Sequence, residues 1–360
     1  MRQEEVPPLH SGYPPRVRLG VLTGGGDCPG LNAAIRAMVR GSVGQGHEVL
    51  GILRGWRGLV SEGTMQLSRR EVAGILPRGG TILGTSSYDC FREEGGLEAL
   101  MRRTGELGLD GIVAIGGEGT LGVAYRLHAE HGYPVVGVPK TIDNDLAGTD
   151  VTIGFDTAVH VCTEAIDRLH STAESHNRVM VVEVMGRNTG WIAAASGIAG
   201  GADVILVPEV PTTIEDVCDR ILSRHEEGKD FSIVVVAEGY PPTRRSGTQE
   251  GPVVQDVDEY GYERLGGIGR VVGDEITRLI GYQTRVTVLG HVQRGGSPTA
   301  RDRFLATRLG LQAAALAGDR AWGRMAAVRG NEIVDVSLEE ATRARRSVPP
   351  AWIEVGRVVA

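Results

Sequence analysis

Short runs of consecutive apolar, mostly β-branched residues alternate along this chain with longer stretches of helical periodicity. The runs Val17–Leu22, Glu48–Leu53, Ile112–Ile115, Val135–Val138, Val179–Val184, Val204–Val207, Ile233–Ala237 and Val286–Leu289 read as strands. Most are nearly continuous rather than alternating, the pattern of strands buried on both faces of a parallel sheet. The periodic stretches Leu31–Ser42, Leu121–His131, Val159–Thr172, Ile214–Glu227 and Ala300–Ala317 predict helices between them. Strand alternating with helix predicts a doubly wound α/β architecture. Pro7, Pro8, Pro14 and Pro15 make residues 1–15 a flexible arm. The stretch Gly239–Gly267 has no period and reads as an inserted loop rather than a lid.

Composition narrows the class. The 360 residues include 53 glycines, roughly twice ordinary usage, without a triplet repeat, and 41% of residues are hydrophobic. Collagen and global disorder are excluded. No apolar run reaches the roughly 18 residues of a membrane span, and the first residues lack the hydrophobic core of a secretion signal. Cys28, Cys90, Cys162 and Cys218 are scattered, with no C-x-x-C pair, which fits a reducing, cytoplasmic setting. A net charge of −7 and 4% aromatic residues argue against a nucleic-acid surface.

The glycines cluster where strands end. Thr23-Gly24-Gly25-Gly26-Asp27-Cys28-Pro29-Gly30 joins a strand to a helix, so backbone N–H groups and the helix dipole can face an anion. It has neither the G-K-[ST] of a Walker loop nor dinucleotide glycine spacing. Gly116-Gly117-Glu118-Gly119-Thr120 repeats the arrangement; its glycines let a polyphosphate approach, and one carboxylate among them suits Mg²⁺. In Pro139-Lys140-Thr141-Ile142-Asp143-Asn144-Asp145, two carboxylates follow a buried strand. Like charges in a cleft push their pKa values apart, which suits a base beside a metal ligand. Arg178, Arg187, Arg285, His291 and Arg294 lie near strand ends beside glycines, where guanidinium forks match phosphate oxygens.

Taken in order, VLTGGGDCPGLNAAIR, GGTILGTS, IGGEGT, PKTIDND, TIGFDTA, VVEVMGR and VLGHVQRGGSP resemble the phosphofructokinase family, in its mixed ATP/pyrophosphate-type subgroup, from about Val17 to Leu316. The resemblance implies two similar Rossmann-like doubly wound lobes with the active site in the cleft between them. The donor-binding lobe would comprise 16–154 plus 293–343, and the sugar-phosphate lobe 155–292 plus 344–360. It implies glycolytic phosphoryl transfer to the 1-hydroxyl of fructose 6-phosphate, giving fructose 1,6-bisphosphate, with Mg²⁺ as cofactor. Self-association as a homodimer or homotetramer would complete the site.

By position, Asp143 resembles the family's general base, with Thr141, Lys140 and Arg187 in the catalytic set. Gly25, Tyr88, Arg92, Gly117, Glu118, Gly119 and Thr120 match the phosphoryl-donor site, and Glu118 with Asp145 the metal site. Arg285, His291 and Arg294 match holders of the sugar's 6-phosphate, with Arg178 reaching across from a neighbouring subunit. Met185, Gly186, Arg187 and Glu238 match the sugar-facing wall.

Donor markers are mixed. Gly119 resembles ATP-using members and Lys140 pyrophosphate users, and the open path at Gly119 favours ATP. Two positions depart from the family: Glu118 replaces its usual Asp, and Ser87 stands where it carries an arginine aimed at the transferred group. Losing such a charge costs orders of magnitude in phosphoryl transfer unless another cation, such as Lys140 or Arg92, replaces it. Alternatives are a pyrophosphate-dependent enzyme, a kinase for another ketose phosphate such as sedoheptulose 7-phosphate, or a catalytically weak regulatory paralogue.

Overall fold

The computed structural model describes residues 16–61, 63–247, 251–257 and 263–359. The predicted arm, residues 1–15, lies outside them. In chain order the first elements are β1 (Arg18–Thr23), α1 (Leu31–Gly44), β2 (Glu48–Ile52), the single turn α2 (Arg57–Val60) and β3 (Thr64–Leu67). They are followed by α3 (Gly96–Glu106), β4 (Gly111–Gly116), α4 (Glu118–His131) and β5 (Val135–Pro139). Then come α5 (Phe155–His176), β6 (Val179–Val184), α6 (Trp191–Ala199), β7 (Val204–Leu206), α7 (Ile214–Glu226) and β8 (Ser232–Ala237). A hairpin of β9 (Val254–Val257) and β10 (Glu263–Leu265) leads to α8 (Ile268–Ile280) and β11 (Thr284–Val288). After a 3-10 turn at Gly290–Arg294, the chain ends with α9 (Ala300–Gly318), β12 (Arg324–Arg329), β13 (Glu332–Ser337), α10 (Leu338–Arg343) and α11 (Pro350–Val359).

Two sheets organise these elements. The larger has the order β13-β12-β5-β4-β1-β2-β3, parallel through its middle five strands, with β13 and β3 antiparallel at its edges. The smaller, β11-β6-β8-β7, is parallel throughout. Both are Rossmann-like α/β layers, as expected, although of unequal size. Every residue of β4, β5, β6 and β8 is buried, so the unbroken Val/Ile/Ala runs follow from helices covering both faces.

Several elements escaped the hydrophobic pattern. The α6 sequence WIAAASGIA is apolar almost all round, so it has no stripe to reveal a helix. The β12–β13 hairpin turns at Gly330-Asn331, a turn signal that was available in the sequence. The helix predicted at Val159–Thr172 begins earlier, at Phe155, because Gly154 (φ 99°) turns the chain into it. The 239–267 excursion is not a plain insertion: it carries β9 and β10, and Leu265 and Gly266 return to line the cleft. Residues 248–250 and 258–262 of it lie outside the described residues.

Asp302 on α9 joins the parts covered by the two sheets. Its fully buried carboxylate accepts the N–H groups of Gly154 (3.0 Å) and Thr157 (2.8 Å) and the Thr157 hydroxyl (2.6 Å), capping the start of α5. No helix among the described residues is long and apolar enough to cross a membrane.

Candidate active site

Because β1, β4 and β5 are adjacent and parallel, the turns at their C-terminal ends meet. Backbone bonds lace them together: Gly24 N–H to Ile115 O (3.0 Å), Gly25 N–H to Ser86 O (2.9 Å) and Lys140 N–H to Gly116 O (3.0 Å). Gly25 holds a φ of 75°, open to glycine at little cost. Lys140 is buried, and its Nζ donates to the carbonyl oxygens of Gly24 (2.9 Å) and Gly26. Burial lowers the pKa of this ammonium.

These turns enclose a cavity of about 250 Å³ that includes Gly25, Ser87, Tyr88, Gly117, Glu118, Gly119 and Thr120, together with Lys140, Thr141, Asp143 and Asp145. A groove of about 580 Å³ shares Asp89, Glu118 and Gly119 with it and continues past Gly122, Val123, Tyr125 and Arg126. A Cβ at Gly122 would meet open space, so nothing narrows the groove there.

Among the described residues no group of three or more His, Cys, Asp or Glu side chains forms a ready metal centre. Four carboxylates line the first cavity, Asp89, Glu118, Asp143 and Asp145, and the pair expected to hold a metal, Glu118 and Asp145, is among them. Burial, then the nearby charges of Asp143 and, more weakly, Glu118, push the Asp145 pKa upward. Carboxylates crowded together in this way fit a divalent cation such as Mg²⁺, although Glu118 is also paired with Arg345.

The second cavity, about 650 Å³, lies at the C-terminal ends of the smaller sheet and is lined by Met185, Arg187, Glu238 and His291, among others. Gly186 has a φ of 144°, and a Cβ there would sit 2.5 Å from the Thr189 carbonyl oxygen. Arg187 adopts a left-handed φ of 54°, a strained conformation for a non-glycine residue, while its N–H donates to Glu238 Oε1 at 2.9 Å. Burial raises the Glu238 pKa to about 7; the Arg187 N–H bond opposes this and the Asp143 charge adds to it. Gln293, which sequence reasoning missed, is fully buried and accepts the Met185 N–H (3.2 Å) while donating to Gly290 O (3.0 Å), fixing the turn that carries His291 and Arg294.

Asp143, Arg187, Arg294 and Gly26 line both cavities. Arg294 Nη1 donates to Asp27 O (3.2 Å), and a Cβ on Gly26 would stand 2.6 Å from that same nitrogen. Arg294 therefore lies across the first glycine turn and is not confined to the second cavity.

Arg92 and Arg285 stand outside both cavities, as does Arg178, which was expected to reach across from a neighbouring subunit. Arg92, expected at the donor site, pairs with Asp89 at 3.4 Å and is not among the residues lining the donor cavity. Arg178 precedes β6, and Arg285 is the second residue of β11, opposite Met180. Both are thus at the N-terminal ends of parallel strands whose C-terminal ends form the cleft. The resemblance groups Arg285 with His291 and Arg294 as holders of one phosphate, but they stand at opposite ends of β11. The cations lining the first cavity are Lys140, Arg187 and Arg294, so Lys140, and not Arg92, shares that cavity with Ser87.

A family profile described as Phosphofructokinase matches residues 18–317. The chain belongs to the phosphofructokinase family. It is 52% identical over 342 residues to the pyrophosphate–fructose 6-phosphate 1-phosphotransferase of Streptomyces coelicolor, covering 94% of this chain and 98% of that one. It is 51% identical over 341 residues to the ATP-dependent 6-phosphofructokinase 3 of the same organism, covering 93% and 97% respectively. Among solved structures, Pichia pastoris phosphofructokinase in the T-state matches with a TM-score of 0.79 and 35% identity over 91% of this chain, which spans 35% of that longer chain. Membership of the phosphofructokinase family makes the protein a phosphotransferase with an alcohol acceptor, and it accounts for two cavities that share one carboxylate.

Proposed function

We propose that the enzyme transfers the γ-phosphoryl group of ATP to the 1-hydroxyl of fructose 6-phosphate, giving ADP and fructose 1,6-bisphosphate. The observation that carries this reading is Asp143, buried where the donor and acceptor cavities meet. Asp143 accepts the proton of the attacking 1-hydroxyl as the new O–P bond forms and the bond to the leaving diphosphate breaks. Arg187 and Arg294 supply positive charge along the line of transfer, which offsets the family arginine absent at Ser87. His291 and Arg294 hold the 6-phosphate, and Met185 and Glu238 wall the sugar. Glu118 and Asp145 would hold Mg²⁺, which when bound neutralises the charge of the transferring phosphates.

ATP is favoured because the donor cavity continues past Gly119 and Gly122 into a groove that a nucleoside would occupy and pyrophosphate would leave empty. Lys140 at the donor wall, with the 52% likeness to a pyrophosphate-using relative, favours pyrophosphate as the second reading. Arg178 and Arg285 are proposed to serve the cleft of a second copy, which the exposed Val286, Val288 and Val292 beside that edge support. The lobe division at 154/155, 292/293 and 343/344 is proposed from α9 packing on α1 and α11 packing on α6 and β7. A coupled assay with Mg²⁺, offering ATP or pyrophosphate with fructose 6-phosphate or sedoheptulose 7-phosphate, tests the assignment. The ATP–fructose 6-phosphate pair should give the highest kcat/KM, and a higher value with pyrophosphate would overturn the donor reading.

A further inference from the structure

Glu118 does not face the donor cavity alone. Its Oε2 receives both Nε and Nη2 of Arg345, each at 3.0 Å, from a residue 227 positions later. The backbone around Arg345 is fastened independently of that side chain. Arg345 forms an antiparallel bridge with Leu146, and the Arg346 N–H donates to Asp145 O at 2.8 Å. The Arg346 guanidinium lies 4.1 Å from the Trp191 ring and donates to Asp150 O at 2.7 Å, while Trp191 Nε1 donates to Arg346 O at 2.9 Å. Segment 344–348 is thus bound to the catalytic loop on one side and to the start of α6 on the other. It delivers one guanidinium to Oε2 of Glu118, a carboxylate that lines the first cavity.

An oxygen already accepting two charge-assisted N–H bonds has little capacity left for a divalent ion. We propose that Arg345 is a positioning residue of the donor site that competes with the divalent cation for Glu118 Oε2. Uptake of the cation breaks the Arg345–Glu118 pair and frees a guanidinium beside Glu118, on the side from which the donor's phosphates would meet it. The cation and the donor are thereby favoured together over the cation alone. This rests on the reading of Glu118 as a metal ligand, which the experiment tests separately.

The probe is Mn²⁺, titrated against the full-length protein without donor and followed by the electron paramagnetic resonance signal of the free ion. Arg345→Gln should tighten Mn²⁺ binding about two- to fivefold, the size of a half-exposed ion pair. Arg345→Lys, which keeps the charge but not the fork, should fall between the two. Glu118→Gln should weaken binding, and adding Arg345→Gln to it should change nothing further. If Glu118→Gln weakens binding but Arg345→Gln leaves it unchanged or weaker, the competition is wrong and the ligand reading stands. If Glu118→Gln has no effect, both are overturned. A lowered unfolding midpoint in Arg345→Gln with unaltered Mn²⁺ affinity would reduce Arg345 to a structural tie and likewise overturn the proposal.

Discussion

The Nζ of Lys140 and the carbonyl oxygen of Gly24 lie 2.9 Å apart, joining two turns separated by 116 positions in the sequence. With its second bond, to Gly26, the ammonium fixes the shape of the first glycine turn from beneath. The lysine that marks a pyrophosphate user in sequence is thus also a structural support for the donor loop. Lys140→Met should raise KM for either donor by roughly 10- to 150-fold, the loss of a charged hydrogen bond, with a much smaller change in the KM of the sugar phosphate. Steady-state kinetics with each substrate varied in turn decides it. A rise confined to pyrophosphate would make Lys140 a donor-specific contact.

Asp143→Asn keeps the shape of the side chain but removes the proton acceptor. Turnover should fall by about 10²–10⁴-fold, while sugar-phosphate binding measured by calorimetry stays within a few-fold of wild type. Retention of half the wild-type kcat would remove Asp143 from the role of base.

Arg294 lines both cavities and bonds the donor turn through Asp27 O. Arg294→Ala should therefore raise KM for the sugar phosphate and for the donor, and depress kcat as well. A deleted charged hydrogen bond is worth about 1.5–3 kcal/mol, or roughly 10- to 150-fold. An effect on the sugar phosphate alone would confine this guanidinium to the acceptor side.

Gly119 stands where the donor cavity meets the groove. Gly119→Asp adds a carboxylate on the path of the nucleotide's inner phosphate, and in a partly desolvated cleft the repulsion amounts to a few kcal/mol. ATP-dependent kcat/KM should drop sharply and pyrophosphate-dependent kcat/KM should drop less or emerge. The ratio of the two values at matched Mg²⁺ is the measurement, and an unchanged ratio would shift donor choice to Lys140 or the Ser87 segment.

Asp302 titrates in the core. Burial, opposed by the Thr157 and Gly154 bonds, raises its pKa from 3.8 to about 6. The folded state therefore binds this proton more tightly than the unfolded state does, so the contribution to stability is full below pH 3.8 and is lost as pH rises through 6. Urea unfolding of wild type should show a stability decline across this window that Asp302→Asn lacks. Parallel pH profiles for the two proteins would refute the assignment.

What the sequence determined by itself were the features that local chemistry writes into it. Unbroken Val/Ile runs marked strands buried on both faces, glycine turns marked strand ends, and PKTIDND carried Asp143, the carboxylate that the fold sets between two cavities. Tertiary structure alone decided which residues of different turns share a space. Arg285 looks like a cleft residue in sequence, but parallel strands have a direction, and it lies at the end facing away, as does Arg178, which was expected to serve a neighbouring subunit. Arg92 has the right charge, yet Asp89 three positions earlier pairs with it. Arg294 reached the donor turn, and Arg345 reached Glu118, across separations of 267 and 227 residues that no periodicity encodes. A hydrophobic pattern specifies which face of an element is buried, whereas the packing of whole lobes fixes which charges then stand within 3 Å of one another.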